Sequence, residues 1–211
     1  MLALDHSRSM GLPEELDDGI VDQLETAMQS GDELEAWSAR ESYNAMIDGG
    51  GRKRLDTLKD AVGSALDGAL GGATLDLVTF AGCRGVRRHG DYSPARHGDL
   101  RAAIAGLAPV PATPLTEALK AALAAAREGG ASRVLLVTDG RDTCDGDPCA
   151  AARAVGSGIP VDVVAIGAAA SLGCIAEATG GRLLVRRPDY PLDAAIAEAS
   201  APEEADPPCG P

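Results

Sequence analysis

Short apolar, β-branched runs alternate with Ala/Leu-rich stretches of helical period along most of this chain. The runs are Leu2 to Asp5, Leu75 to Phe80, Val134 to Thr138, Val161 to Ile166 and Arg182 to Val185. Each is close to continuously apolar, as strands of a parallel sheet must be when both faces are covered. Between them, Leu55, Leu58, Val62, Ala65 and Leu66 recur at helical spacing ahead of Gly71-Gly72. Pro114 to Arg127 reads as a helix with Thr113 as its N-cap and Pro114 at the first helical position. Asp147 and Pro148 start a helix over Cys149 to Val155; Ser171 to Thr179 closes at Gly180-Gly181, and Pro191 to Ala199 is the last helix. This order predicts an α/β fold, a Rossmann-like doubly wound sheet with right-handed crossovers. In such sheets ligands bind at the carboxyl ends of the strands.

Residues 11–51 interrupt the rhythm directly after the first strand. Leu16, Ile20, Leu24 and Met28 predict one short amphipathic helix, and Leu34, Trp37 and Met46 a second beyond Gly31. The same segment holds eleven acids (Glu14, Glu15, Asp17, Asp18, Asp22, Glu25, Asp32, Glu33, Glu35, Glu41, Asp48) and one base, Arg40, a net of −10. The whole chain carries −13, so only −3 is left for the remainder. A charge run of this kind is commonly a solvated helix face. A chain this acidic lacks the basic face that nucleic acid or anionic lipid requires. No stretch approaches 18 consecutive apolar residues, so no membrane span is expected, and Met1-Leu2-Ala3-Leu4 does not read as a charged-then-apolar secretory leader, so no signal peptide is expected in these residues. Aromatics are only 2% of the 211 residues, so the core has to be built from Ala, Val, Leu and Ile. The tail from Ala201, rich in proline and acids, is expected to be disordered.

The candidate chemistry lies where the first strand ends, in Asp5-His6-Ser7-Arg8-Ser9. Thr113-Pro114-Leu115-Thr116-Glu117-Ala118-Leu119 forms a second loop, and Val137-Thr138-Asp139-Gly140 follows the strongest strand. This D-x-S-x-S, with Thr113 and Asp139 in order behind it, resembles the metal-ion-dependent adhesion site of von Willebrand factor type A domains. Ile175 to Gly181 is similar to a late segment of that family, and the resemblance runs from Met1 to about Ser200. It implies one domain over residues 1–200 with an antiparallel edge strand around Arg84 to His89. It also implies coordination by Ser7, Ser9 and Thr113, with Asp5 and Asp139 acting mainly through waters. The implied cofactor is Mg²⁺, with Mn²⁺ or Ca²⁺ as substitutes, and the implied partner is a protein offering an Asp or Glu to the metal. Hydroxyl ligands suit this role: Mg²⁺ takes about six hard oxygens, and neutral ones leave its charge unquenched. The plainer alternative is that Ser7, Ser9 and Thr113 only cap turns and helices.

Two features depart from the family pattern. Arg8 stands where the family usually has Gly, so it points to solvent, steers an acidic partner or crowds the metal. Only four residues precede Asp5, short for a central strand, which leaves open whether Met1 is the natural start. The acidic segment 11–51 falls where it would cover the site. A carboxylate from it is therefore a candidate internal ligand, which would make the segment a lid.

Five cysteines, Cys83, Cys144, Cys149, Cys174 and Cys209, contain no C-x-x-C. The stretch from Asp139 to Cys149, with Cys174-Ile175-Ala176, resembles a bacterial subset of the same family. That resemblance implies export and pairing among Cys83, Cys144, Cys149 and Cys174, which favours an extracytoplasmic location. Free thiols in a cytosolic protein, or a zinc site from the same four, are the alternatives, although the spacings match no zinc knuckle or ribbon. Asp142, Asp145 and Asp147 lack the order of a calcium loop, and Asp147 reads as a helix cap. His6, His89 and His97 form no H-x-x-x-H pair, and there is no G-x-S-x-G elbow. A phosphoryl-transfer enzyme using Asp5 would want a second carboxylate two residues on, where Ser7 stands. With no G-x-x-x-x-G-K-[ST] present, a role beside an ATPase would need that ATPase as a separate chain. A non-enzymatic binding module is the reading carried forward.

Overall fold

The structure, a computed structural model, describes residues 1–156, 158–167, 170–187 and 189–201. The tail expected to be disordered lies, beyond Ala201, outside the described residues. In chain order the elements are β1 (Leu2–Asp5), α1 (Asp18–Met28), α2 (Glu33–Asp48), α3 (Arg54–Asp67), β2 (Leu75–Phe80), β3 (Val86–Tyr92) and α4 (His97–Ala105). They continue with α5 (Leu115–Gly129), β4 (Val134–Thr138), α6 (Pro148–Val155), β5 (Val161–Ala165), α7 (Gly173–Thr179), β6 (Leu183–Val185) and α8 (Leu192–Ser200). The strands lie side by side in the order β3-β2-β1-β4-β5-β6, and every neighbouring pair is parallel except β2 with β3. Successive strands are added outward in one direction from β1 to β3 and in the other from β4 to β6, so the doubly wound α/β sheet has its switch point between β1 and β4.

Period-two alternation splits each strand between two cores. Leu2, Leu4, Leu75, Leu77, Leu135 and Val137 face one way, against α3, α4 and α8. Ala3, Val78, Phe80, Val134, Leu136 and Val163 face the other, against α5, α6 and α7. At four residues β1 is short, but it is buried throughout and paired on both edges. Its carboxyl end, with those of β2 and β4, carries the loops that build the site.

Helices α1 and α2 form a hairpin around a third, smaller cluster in which Leu12, Val21 and Tyr43 are buried. Several of the segment's acids have a local structural use. Asp17 caps α1 by accepting from the N–H groups of Gly19 and Ile20, and Asp32 caps α2 through those of Leu34 and Glu35. Asp18, Glu33 and Glu35 add negative charge to the first turns, where the helix dipole favours it.

Two expectations are corrected, and one helix escapes the sequence pattern. Leu34 and Trp37 do not face inward: they are 73% and 59% exposed, and α2 packs instead through Ala36, Ala39 and Tyr43. Small side chains let the backbone approach closely, so the larger apolar residues on the opposite side are left outside. Helix α4 has no counterpart in the sequence pattern, because only Leu100 and Ile104 anchor it besides His97. Helix α5 begins one residue later than expected, with Pro114 rather than Thr113 at the cap position and no capping by its own side chain. The cap comes from another loop: Asp142 Oδ2 accepts the Thr116 N–H at 2.7 Å. Asp147 does cap α6, accepting from Ala150 N at 2.8 Å.

Two disulfides join Cys83 to Cys144 and Cys149 to Cys174, each across a Cα–Cα distance of 5.4 Å. The four sulfurs are thereby used up, which removes the zinc alternative. Disulfides persist in oxidising surroundings, so this pairing points to an extracytoplasmic location. No helix among the described residues is long and apolar enough to cross a membrane.

Candidate metal centre

Four of the five residues singled out in the sequence join in one hydrogen-bonded chain. Asp5, fully buried at the end of β1, accepts the Ser7 N–H at 2.7 Å through Oδ1 and the Thr138 hydroxyl at 2.5 Å through Oδ2. Ser7 Oγ lies 3.1 Å from Ser9 Oγ, and Ser9 Oγ donates to Asp139 Oδ1 at 2.7 Å. The chain therefore runs from one buried carboxylate, through the Ser7 backbone N–H and then the Ser7 and Ser9 hydroxyls, to another, between the ends of β1 and β4.

Thr113 joins by position. It is buried on the loop before α5 and lines the same cavity as Ser9 and Gly140. Its loop is fixed from outside, since the Thr113 N–H donates to Thr143 Oγ1 at 2.7 Å and Thr143 N–H returns to the Thr113 carbonyl at 3.0 Å. Thr143 adjoins Cys144, whose disulfide reaches back to Cys83 in the turn after β2. On that side Gly82 N–H donates to the Ala112 carbonyl at 2.8 Å, so the disulfide and these three hydrogen bonds brace one loop cluster.

Sequence reasoning missed Arg54. It is 3% exposed, and its guanidinium bridges Asp139 Oδ2, 3.1 Å from Nη1, and Asp18 Oδ1, 2.8 Å from Nη2. The basic run Arg52-Lys53-Arg54 after the acidic segment is its only mark in the sequence, and nothing there says which of the three turns inward. Gly167 leaves room for the pair: its backbone is at φ +104°, and a Cβ there would lie 2.7 Å from Asp18 Oδ1. Thr138 was also missed as a functional residue, although it stands inside a quoted motif.

The electrostatics are those of a site short of positive charge. Burial, and then the charge of Asp139, push the Asp5 carboxyl up to about 7. Burial raises Asp139 as well, against the pull of Arg54 and the hydrogen bond from Ser9. Asp5 has no ion pair among the described residues. Two buried carboxylates beside three hydroxyls make an all-oxygen donor set, which fits a hard divalent cation better than zinc or copper. The capping alternative does not account for Ser7 and Ser9, whose side chains cap no helix and bond each other and Asp139 instead.

Helices α1 and α2 wall off a cavity of about 390 Å³ over this centre, lined among others by Ser9, Thr113, Glu25 and Tyr43. Arg8 is half-buried in the same wall and donates to Asn44 Oδ1 at 2.8 Å. Of the acidic segment's carboxylates, Glu25 lines the cavity and Asp18 holds Arg54; among the described residues none bonds the hydroxyls of Ser7 or Ser9. Burial raises the Glu25 carboxyl, and Asp139 adds to the shift.

Comparison with solved structures identifies the fold. Over 94% of its length the chain matches a conserved hypothetical protein, BatB, from Bacteroides thetaiotaomicron, at 17% identity, TM-score 0.61 and 94% of that chain. It matches a von Willebrand factor type A structure from Catenulispora acidiphila at 15% identity and TM-score 0.62, spanning 41% of that longer chain. It also matches the vWF domain of the type V pili tip protein Mfa5 from Porphyromonas gingivalis, at 15% identity, TM-score 0.53 and 92% of that chain. The chain has a von Willebrand factor type A-like fold. No protein-family model matches it, and no curated protein does.

Proposed function

We propose that the chain is a protein-recognition module, not an enzyme, that binds a carboxylate of a partner through Mg²⁺ held by Ser7, Ser9 and Thr113. The observation that carries this reading is the hydrogen-bonded chain from Asp5 through Ser7 and Ser9 to Asp139, at the switch point of a type A-like fold. When bound, the cation supplies a Lewis-acidic position for an incoming carboxylate. The chain's own residues prepare that position. Asp5 fixes the Ser7 backbone and is itself fixed by Thr138, while Asp139 orients the Ser9 hydroxyl. Arg54 neutralises Asp139, which keeps the net charge around the hydroxyls low and the centre attractive to an anion. The wall of α1 and α2 narrows access to a pocket, so a projecting acidic segment is a better fit than a flat surface. That a matched domain belongs to a pilus tip protein is consistent with a binding role.

Isothermal titration of Mg²⁺ tests the assignment, with the native chain beside the double variant Ser7→Ala, Asp139→Ala. The native chain is expected to bind and the variant to lose at least tenfold in affinity. Equal affinities would overturn the site.

A further inference from the structure

Three arginines converge on the cavity above the hydroxyls. Arg8 comes from the loop after β1, Arg40 from α2 and Arg141 from the loop after β4, with Glu25 the one carboxylate on the wall. Arg141 also holds Asp22 at 3.1 Å, while Arg8 and Arg40 have no carboxylate partner among the described residues. In a chain of net charge −13 this is a local reversal of sign. Its origin is telling: residues 11–51 hold eleven acids and one base, and that base is Arg40, turned to the cavity. Arg8, the departure from the family's glycine, adds a second signal. Its Nε is buried without a hydrogen-bond partner, while its Nη2 is engaged by Asn44. A buried guanidinium donor left unmatched asks for an acceptor, and a carboxylate makes the stronger, charge-assisted bond. Met28 and Tyr43 supply apolar wall between the charges. At about 390 Å³ the space is at the small end of ligand pockets, which run roughly 300–1,000 Å³.

We infer that the cavity contains a second anion subsite, formed by Arg8, Arg40 and Arg141, so that the preferred ligand is a short diacidic peptide segment rather than a lone acid. One carboxylate goes to the hydroxyl centre and the other to the arginines. The inference rests on the reading of the hydroxyl centre for the first carboxylate; the arginine subsite stands on its own residues. It also assigns Arg8 a use: its unmatched Nε supplies a donor for the second carboxylate. Long-range repulsion between this acidic chain and an acidic ligand is overcome only at short range, which makes binding selective for segments able to enter the pocket.

The test uses fluorescein-labelled nine-residue Gly/Ser peptides with Glu-Ser-Glu, a single Glu, or Gln-Ser-Gln at the centre, read by fluorescence anisotropy in Mg²⁺ and in EDTA. In Mg²⁺ the native chain is expected to bind the diacid at least tenfold tighter than the monoacid. Arg40→Ala, an exposed helix position, is expected to reduce that preference to twofold or less with its Mg²⁺ affinity unchanged. Equal binding of diacid and monoacid by the native chain would overturn the subsite while leaving the metal centre standing. If Mg²⁺ itself is not taken up, the metal reading fails, and the EDTA arm decides the subsite alone: a diacid preference over Gln-Ser-Gln that Arg40→Ala removes supports it, and no preference overturns it.

Discussion

The guanidinium of Arg54 lies buried against the carboxylate of Asp139, Nη1 to Oδ2 at 3.1 Å, and its other nitrogen holds Asp18 of α1. A cation supplied by the helix that follows the acidic segment thus sits on the carboxylate that orients Ser9. Arg54 joins the segment to the candidate metal centre, beside the Arg8–Asn44 and Arg141–Asp22 contacts.

Removing that cation has a defined cost. Arg54→Met leaves the Asp139 carboxylate buried with Ser9 as its remaining side-chain partner, and breaking a buried pair in this way costs about 3–5 kcal/mol. Urea unfolding in EDTA is expected to show that loss. Saturating Mg²⁺ stabilises native chain and variant alike, by about 2.7 kcal/mol at 100 times the dissociation constant. At one fixed Mg²⁺ concentration the loss shrinks only because the variant, with Arg54 no longer competing for Asp139, is expected to bind the ion more tightly. A variant whose loss is the same in EDTA and in Mg²⁺ would show that Asp139 and the metal do not communicate.

The Cys83–Cys144 disulfide closes a separation of 61 residues and braces the loop that presents Thr113. Chain-entropy reasoning puts its worth at about 4 kcal/mol. The double variant Cys83→Ser, Cys144→Ser is expected to unfold at lower urea and, where still folded, to bind Mg²⁺ more weakly. The Cys149–Cys174 pair lies on α6 and α7, so its removal should lower stability with less effect on metal affinity. Equal metal affinity in the two double variants would contradict the bracing role of Cys83–Cys144.

Asp142 supplies a pH-dependent contribution. Burial pushes its carboxyl up, but hydrogen bonds from the N–H groups of Thr116, Cys144 and Gly146 outweigh that and hold it below the usual value. A depressed carboxylate contributes stability that is present above its unfolded pKa and lost as pH falls through its folded pKa. Asp142→Asn is therefore expected to cost about 1 kcal/mol at pH 7, as loss of a helix cap does, and progressively less as the pH drops below 4. Denaturation curves at both pH values check this, and a penalty independent of pH would assign the effect to shape rather than charge.

Much of this molecule could be read from its sequence because its strands obey one simple rule. Val134 to Thr138 and Leu75 to Phe80 are buried on both faces, so a nearly continuous apolar run, interrupted in the second by Asp76 and Thr79, suffices to find them. The D-x-S-x-S motif was legible for a related reason, since Asp5, Ser7 and Ser9 are local to one turn and need no long-range information. What escaped was whatever depends on tertiary packing. Arg54 looks like its solvated neighbours Arg52 and Lys53 until α3 turns it toward Asp139. Trp37 looks like a core residue until close packing through Ala36 and Ala39 leaves it outside. Thr113 looks like a cap, but Asp142, 26 residues beyond Thr116, takes that work and leaves Thr113 on the cavity wall. The acidic segment needed both kinds of information: its acids are partly helix caps, which spacing suggests, while the placement of Arg40 in the cavity is visible only in three dimensions.

The central claim is that the hydroxyls of Ser7, Ser9 and Thr113 hold a divalent cation. Anomalous diffraction from crystals grown in Mn²⁺ tests it most directly, because the scattering locates the ion independently of any structural interpretation. A single strong peak among those three hydroxyls, absent in Ser7→Ala crystals, is the predicted result. At saturating Mn²⁺, no peak there, with Arg54 still seated on Asp139, would contradict the account.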